Sequence, residues 1–303
     1  MATDEFALNG MQGLSATNAS WRDYLSVTKV GITVANLMAT FAGLWVGAHG
    51  HPGFLVSIAT LVGTALVVAS GATFNNYIDR DIDTRMERTQ ARAIASGKVN
   101  PRKALWLGSV LGVLGIADLV AFVNLTAALC GFAGLLMYSY IYTVWLKRNT
   151  TLSTVLGGIA GAAPPLVGWA AGSGGSLGVP AWVMFFVFFL WQPPHFLPLA
   201  MKRSEEYRAA GIPMLPVVQG FRATKWQILR YTAALLPVSI LLYGVGAENG
   251  LYLIVAAGLG GWFLVRAFQG LYTRDDLAWA RQLFKFSLLY LTAMCVAMVL
   301  GAV

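Results

Sequence analysis

Apolar residues in this chain fall in long continuous runs, with little of the strict alternation of a half-buried strand. Nine such runs can be drawn, at about residues 30–48, 54–77, 104–123, 126–146, 152–172, 180–200, 229–247, 250–269 and 283–302. Each is roughly 20 residues long, the length an α-helix needs to cross a bilayer core of about 30 Å. A membrane β-barrel would show alternating segments of roughly 10 residues instead. The expected fold class is an all-α integral membrane protein with nine transmembrane helices. Ala48–Gly53 and Ser173–Val179 are short enough for tight reversals between antiparallel neighbours, whereas Ile78–Lys103 and Met201–Ile228 are long and charged. The expected organisation is a tail over 1–29 and a single nine-helix domain over 30–303, with connections 78–103 and 201–228 capping one end.

Composition agrees. The 303 residues are 57% hydrophobic and only 11% charged, against roughly 25% charged in a soluble domain, and mean hydropathy is +0.65. These values exclude a soluble globular enzyme, a disordered chain and a coiled coil. Cys130 and Cys295 lie inside apolar runs and have no metal-binding spacing. The N-terminal segment has Asp4 and Glu5 and no apolar core of a signal peptide, so it reads as a polar tail.

Charge sets the orientation. The 21 lysines and arginines lie in the tail, in the second-to-third, fourth-to-fifth and sixth-to-seventh connections, and around the last connection. With nine alternating spans all of them fall on one side. The positive-inside rule makes that side cytoplasmic, with the N-terminus inside and the C-terminus outside. The net charge of +8 suits topology and anionic lipid; basic residues confined to membrane-bounded loops argue against nucleic acid.

Candidate chemistry begins where the second span ends. Asn75, Asp79 and Asp83 are spaced i, i+4, i+8 and project from one helix face, while Asp81 points away. Oxygen-bearing side chains stacked this way repel one another unless a cation lies among them, and such a set suits Mg²⁺ shared with a phosphate. Arg80, Arg85, Arg88 and Arg92 follow, and guanidinium groups suit bidentate phosphate binding. The cluster is either a salt-bridged loop or a site for a diphosphate with an apolar tail. Lys202, Arg203, Glu205 and Glu206 open the sixth-to-seventh connection on the same side, as a helix-end ion pair or as a second carboxylate site for another Mg²⁺. Tyr138 and Tyr142 share a face ahead of Lys147 and Arg148, as an interfacial aromatic belt or as a wall that shields a carbocation. His195 follows Pro193 and Pro194, which are expected to break the sixth helix. It is either a histidine bonded to a broken helix or a functional group within the membrane. His49 and His51 read as interfacial or, as a His-x-His pair, as ligands for metal or haem; the glycines of 157–161 read as helix packing, and Asp118 has no assigned role.

These residues carry a family resemblance. Asn75-x3-Asp79-x3-Asp83 at a cytoplasmic helix end in a nine-helix chain resembles the UbiA superfamily of intramembrane prenyltransferases. The string NNYIDRDIDTRMERT over Asn75–Thr89, with Arg92 and Ser96-Gly97-Lys98, is similar to the protohaem IX farnesyltransferase (haem O synthase) branch. So are Tyr142–Thr150 with Lys147 and Arg148, GGIAGAAPPLVGW over Gly157–Trp169, Pro194-His195-Phe196, and EYRAAGIPMLP over Glu206–Pro216. Ala93 stands where the branch pattern has proline, the second Asp-x3-Asp of many superfamily members is absent, and Glu205-Glu206 stand where this branch often has an acidic pair.

The resemblance implies a UbiA-type bundle in the inner (cytoplasmic) membrane of a prokaryote, with its active site on the cytoplasmic side beneath connections 78–103 and 201–228. It implies Mg²⁺-dependent transfer of a farnesyl group from farnesyl diphosphate to a vinyl group of haem b, with water addition and release of pyrophosphate. A downstream haem A synthase would be the partner that takes the product. In that scheme Asn75, Asp79, Asp83, Glu205 and Glu206 hold metal, and Lys202, Glu206 and Tyr142 join the catalytic set. Arg80, Arg88, Arg92, Lys147, Arg148, Arg203, Tyr138 and His195 contact substrates, with His195 on the haem side. A prenyltransferase for an aromatic quinone precursor shares the first motif but not the branch strings. A transporter accounts for proline-containing spans but not for the oxygen triad.

Overall fold

The structure is a computed structural model and describes residues 19–303. Among the described residues it is helical, apart from one isolated antiparallel bridge between Glu248 and Ala302. Among the described residues, nine helices are long and apolar enough to span a membrane. They are α1 (Val30–Gly47), α2 (Phe54–Ile78), α3 (Pro101–Phe122), α4 (Leu125–Asn149), α5 (Ser153–Gly172), α6 (Val179–Lys202), α7 (Gly220–Gly244), α8 (Gly250–Gln269) and α9 (Asp276–Gly301).

Two helix starts differ from the pattern-based expectation. Helix α7 starts at Gly220 and α9 at Asp276, well before the apolar runs at 229 and 283. Both extend as helix ahead of the apolar runs, and Lys225 Nζ on α7 bonds Asp276 Oδ1 on α9 at 2.8 Å to tie the extensions together. The expected connection 201–228 therefore shrinks, and it contains two short helices, Ser204–Ala209 and Leu215–Val218. Nor is the described part of the tail loose. Trp21–Val27 is a helix closed by a Ser20–Asp23 capping box, and Val27 is buried with Ala93, Ile94 and Val99 of the cap. Residues 1–18 of the expected tail lie outside the described residues.

Lipid gives helices little hydrophobic reason to associate, so close backbone approach matters more. Gly43 and Gly47 of α1 face Gly168 and Gly172 of α5. A methyl group built on Gly168 would lie 1.9 Å from the Thr40 carbonyl oxygen, and one on Gly43 would lie 2.1 Å from that of Pro165. Helices α2 and α3 use the same device through Gly63, Gly108, Gly112 and Gly115. These contacts draw α1, α2 and α3 tightly against their neighbours and leave open space elsewhere in the bundle.

Helix α6 is not broken at Pro193 and Pro194. It runs from Val179 to Lys202 through both and through Pro198, as α5 runs through Pro164 and Pro165. Each proline removes a donor, but α6 packs against α5, α7 and α9, and that enclosure holds its path.

The α1–α5 contact gives a stability test. Gly168→Ala should lower the thermal unfolding midpoint of the detergent-purified protein, because neither backbone can yield; overpacking of this kind costs about 1–3 kcal/mol or more. Gly258→Ala, where a methyl group meets nothing within 4 Å, should leave the midpoint unchanged or slightly raised. Equal midpoints for the two variants would refute the contact.

Candidate active site

A cavity of about 550 Å³ opens at the basic end of the bundle and runs inward between α1, α2, α4, α5 and α6, with α9 along one side. Asn75, Asp79 and Asp83 stand at its mouth, all nearly inaccessible. Their register is helical, as expected. Asp79 N donates to Asn75 O at 2.9 Å and Asp83 N to Asp79 O at 2.8 Å, although α2 itself ends at Ile78. Asn75 Nδ2 donates to Asp79 Oδ2 at 2.9 Å and to Thr143 Oγ1 at 3.1 Å.

Each member of this triad has its own cation. Lys29 Nζ donates to Asn75 Oδ1 at 2.6 Å, Lys147 Nζ to Asp79 Oδ2 at 2.6 Å, and Arg92 Nη1 to both Asp83 oxygens at 2.9 and 2.7 Å. Burial, with nearby Arg92 adding repulsion, pulls the Lys29 ammonium down to about 7. Asp79 Oδ1 is buried and hydrogen-bonds to nothing among the described residues; Arg148 Nη2 lies 3.9 Å from it. Lys29, Arg88, Arg92 and Lys147 all line the mouth.

The donors fit a hard divalent cation. Asn75, Asp79 and Asp83 offer oxygen donors, and Asp79 Oδ1 is a buried acceptor that receives no hydrogen bond. Among the described residues, no three His, Cys, Asp or Glu side chains gather round one point. The protein therefore supplies a partial shell, of the kind Mg²⁺ completes with water and substrate phosphate oxygens.

Several expected site residues stand elsewhere. Arg80 lies over the Tyr77 ring at 4.5 Å and donates to the Tyr77 carbonyl, outside the cavity. Arg148 makes a two-pronged pair with Asp81, both contacts at 2.8 Å, and this pair holds the Asp81 carboxyl below the usual range. Asp81 thus faces off the triad, as its register requires. Lys202 is exposed at the end of α6 and does not line the cavity. Glu205 is 81% exposed and paired with Arg208, so it is not placed to hold a metal with the triad. Glu206 pairs with Arg203 at 2.6 Å, and its Oε2 lies 3.9 Å from Arg88. It thereby braces an arginine that lines the cavity without lining it itself. The cause is local: backbone turns at Arg203 before the helix Ser204–Ala209 begins, which rotates Glu205 outward and leaves Tyr207 as the side chain of this segment that reaches the cavity.

Deeper in, Tyr138 and Tyr142 stack at 5.8 Å and 9°. They sit on Met137–Leu146, a stretch of α4 wound as π-helix, where Thr143 Oγ1 donates five residues back to Tyr138 O. Such widened turns recur at functional sites. The α5 glycines make room here: a methyl group on Gly157 would lie 2.6 Å from the Tyr142 ring, and one on Gly161 2.3 Å from Gln192 Oε1. Trp145 is 62% exposed and faces outward. His195 lines the cavity between the rings of Trp191 and Phe284. Lys29, Thr143, Gln192 and Tyr207 are site residues that sequence reasoning missed. A lysine just before a first span looks like topology, and the other three have no spacing to mark them.

The family model described as the UbiA prenyltransferase family matches residues 36–289. The chain belongs to the UbiA prenyltransferase family. A family relative from Alkalihalophilus pseudofirmus, named protoheme IX farnesyltransferase, is 51% identical over 286 residues, covering 93% of this chain and 90% of that protein. Protoheme IX farnesyltransferase 2 of Bacillus subtilis is 43% identical over 297 residues, covering 95% of each. A UbiA homologue from Archaeoglobus fulgidus, solved with DMAPP and Mg²⁺, matches the fold with a TM-score of 0.71 at 16% identity, covering 91% of this chain and 99% of that one.

The triad and its neighbour separate by mutation. Asp79→Asn and Asp83→Asn should each lower prenyl transfer roughly 100-fold or more, with the protein still folded in detergent. Asp81→Asn should stay within several-fold of wild type. Turnover assays at saturating Mg²⁺ decide; equal damage from all three would overturn the one-face assignment.

Proposed function

We propose that this chain is a haem O synthase, transferring a farnesyl group from farnesyl diphosphate to a vinyl group of haem b with Mg²⁺, adding water and releasing pyrophosphate. The carrying observation is one cavity with two chemistries, a mouth of buried carboxylates matched by four cations and a body of aromatic and small side chains. It occurs in a chain half identical along most of its length to a protein named protoheme IX farnesyltransferase.

Lys29, Arg88, Arg92 and Lys147 are placed to receive the diphosphate. Asn75, Asp79 and Asp83 would hold Mg²⁺, which when bound supplies charge neutralisation on the leaving pyrophosphate. As the farnesyl C1–O bond breaks, its electron pair leaves with the pyrophosphate. The stacked Tyr138 and Tyr142 rings offer an electron-rich wall to the allylic cation, and the apolar cavity keeps water from it. The terminal vinyl carbon of haem b then bonds to C1, and water adds to the cation left beside the porphyrin, losing a proton. His195, about seven residues and roughly 10 Å deeper than the end of α6, belongs to the acceptor side, because a diphosphate moved to that depth would lose its solvation and its cations. The second metal expected at Glu205 and Glu206 is not part of this reading.

The reading also places the triad on the cytoplasmic side of the inner membrane of a prokaryote, with the C-terminus outside, because every lysine and arginine belongs to one end of the bundle. A haem A synthase would consume the product.

Two measurements test these assignments. Purified protein given farnesyl diphosphate and Mg²⁺ should convert haem b to a product with the mass of a hydroxyethylfarnesyl derivative, and should leave 4-hydroxybenzoate unprenylated; the reverse preference would make it a quinone-precursor enzyme. In cells, with Cys130 and Cys295 replaced by alanine, an impermeant thiol reagent should label Ser176→Cys from outside and Ala209→Cys only after the inner face is opened. Both positions are exposed, so the opposite pattern would invert the topology.

A further inference from the structure

One residue of α9 holds two aromatic side chains of α6. The Ser287 carbonyl accepts the indole N–H of Trp191 at 2.9 Å, and Ser287 Oγ lies 2.8 Å from His195 Nδ1. Ser287 is fully buried. Its hydroxyl has a single proton, and Oγ also lies 2.7 Å from the Phe284 carbonyl oxygen, which can only accept. Were Nδ1 an acceptor too, one of these two short contacts would set lone pair against lone pair. The ring proton is therefore on Nδ1, donated to Ser287 Oγ, and the lone pair is on Nε2.

The imidazole is also rigid. Trp191 covers one face at 4.4 Å and 17°, Phe284 stacks at 4.8 Å and 24°, and Phe196 meets the ring nearly edge-on at 4.8 Å. Among the described residues nothing hydrogen-bonds Nε2, and it is not one of the sealed, unpartnered polar atoms. It therefore opens on the cavity that His195 lines. A histidine kept only for packing has no need of a lone pair aimed at open space. An ordered water there would need two to four polar partners, but the lining residues next to His195 and Ser287 along α6 and α9, Phe196, Leu199, Leu288 and Leu291, are apolar, and Gln192 directs its amide N–H to Gly158 O. One nitrogen tied to a fixed acceptor and the other presented bare is the arrangement that histidine metal ligands adopt.

We propose that His195 Nε2 is an axial ligand to the iron of the porphyrin acceptor, and that Ser287 is the positioning residue that fixes the required tautomer. This rests on the haem reading above. Iron ligation fixes the porphyrin plane across the Nε2 axis, which orients the vinyl group for attack while the diphosphate stays at the mouth.

The test uses purified full-length protein in detergent, titrated with ferric haem b and followed by its Soret and visible bands. Wild type should give a histidine-ligated spectrum and bind haem more tightly than metal-free protoporphyrin IX. His195→Ala should lose that spectrum and the preference for iron, and added imidazole should restore the spectrum. Ser287→Ala should keep the spectrum with roughly 10-fold weaker haem binding, and Ser287→Thr should recover the affinity. Farnesyl diphosphate affinity, measured by calorimetry, should not change in any variant. Equal binding of haem and metal-free porphyrin by wild type, which needs no variant to fold, would overturn the ligation. So would a histidine-ligated spectrum in His195→Ala. Unchanged haem affinity in Ser287→Ala would overturn the positioning role. If wild type forms the haem product while these signatures fail, only this inference falls; if wild type prenylates an aromatic acid and not haem, the functional reading falls first.

Discussion

The buried carboxylates Asp79 and Asp83 set the terms for the rest of this molecule. A carboxylate withdrawn from water next to a bilayer is costly unless a cation and hydrogen bonds meet it. Here the partners come from far apart in sequence: Arg92 from the connection after α2 and Lys147 from the end of α4 pair with the carboxylates, and Lys29 from before α1 bonds the amide oxygen of Asn75. Meeting the triad therefore fixes where three separate segments stand. Removing one partner of such a buried pair typically costs about 3–5 kcal/mol, so the cap cannot drift without exposing an uncompensated charge. The burial of Val27 with Ala93, Ile94 and Val99 holds the same segments from the apolar side, and Ala93, which stands where the branch pattern has proline, is one of its members.

The charged mouth is useful only because the bundle beneath it is hollow. Glycine-to-glycine crossings close α1 on α5 and α2 on α3, and the remaining glycines of α5 leave room for Tyr142 and Gln192. Glycine thus acts in two opposite ways within one helix. At Gly168 and Gly172 it removes space between backbones, and at Gly157 and Gly161 it yields space to side chains that line the cavity. A bundle of uniformly large side chains could do neither, and neither the depth of the cavity nor its aromatic wall would survive.

Much of the architecture was legible because span length and charge placement are one-dimensional signals. A hydrocarbon core admits helices of one length, and the triad's i, i+4, i+8 spacing translates directly into one face. What was illegible depended on where the chain turns. Glu205 sits beside Glu206 in sequence, but the bend at Arg203 sends it outward and brings Tyr207 inward. Proline identity argued for a broken α6, whereas packing on several sides carries the helix through Pro193 and Pro194. The roles of Thr143 and Lys29 had no local mark, because each meets Asn75, 68 and 46 residues away respectively.

Each carboxylate of the mouth is already paired with a cation of the chain, and that shapes how an anionic substrate can enter it. Lys29 bonds the Asn75 amide oxygen, Arg92 bonds both Asp83 oxygens, and Lys147 shares Asp79 Oδ2 with the Asn75 amide N–H. A diphosphate that draws these cations to itself leaves Asp79 and Asp83 short of positive charge in a place where water is scarce, which would be costly if nothing replaced it. Asp79 Oδ1, unpartnered even before any exchange, marks where replacement is most needed. On the proposed function, the freed oxygens of Asn75, Asp79 and Asp83 would then be ligands for a divalent cation, and the same cation would offset the phosphates' charge. Recruitment of the diphosphate and of the metal would thus be two halves of one charge exchange, since either alone would leave uncompensated charge at this depth.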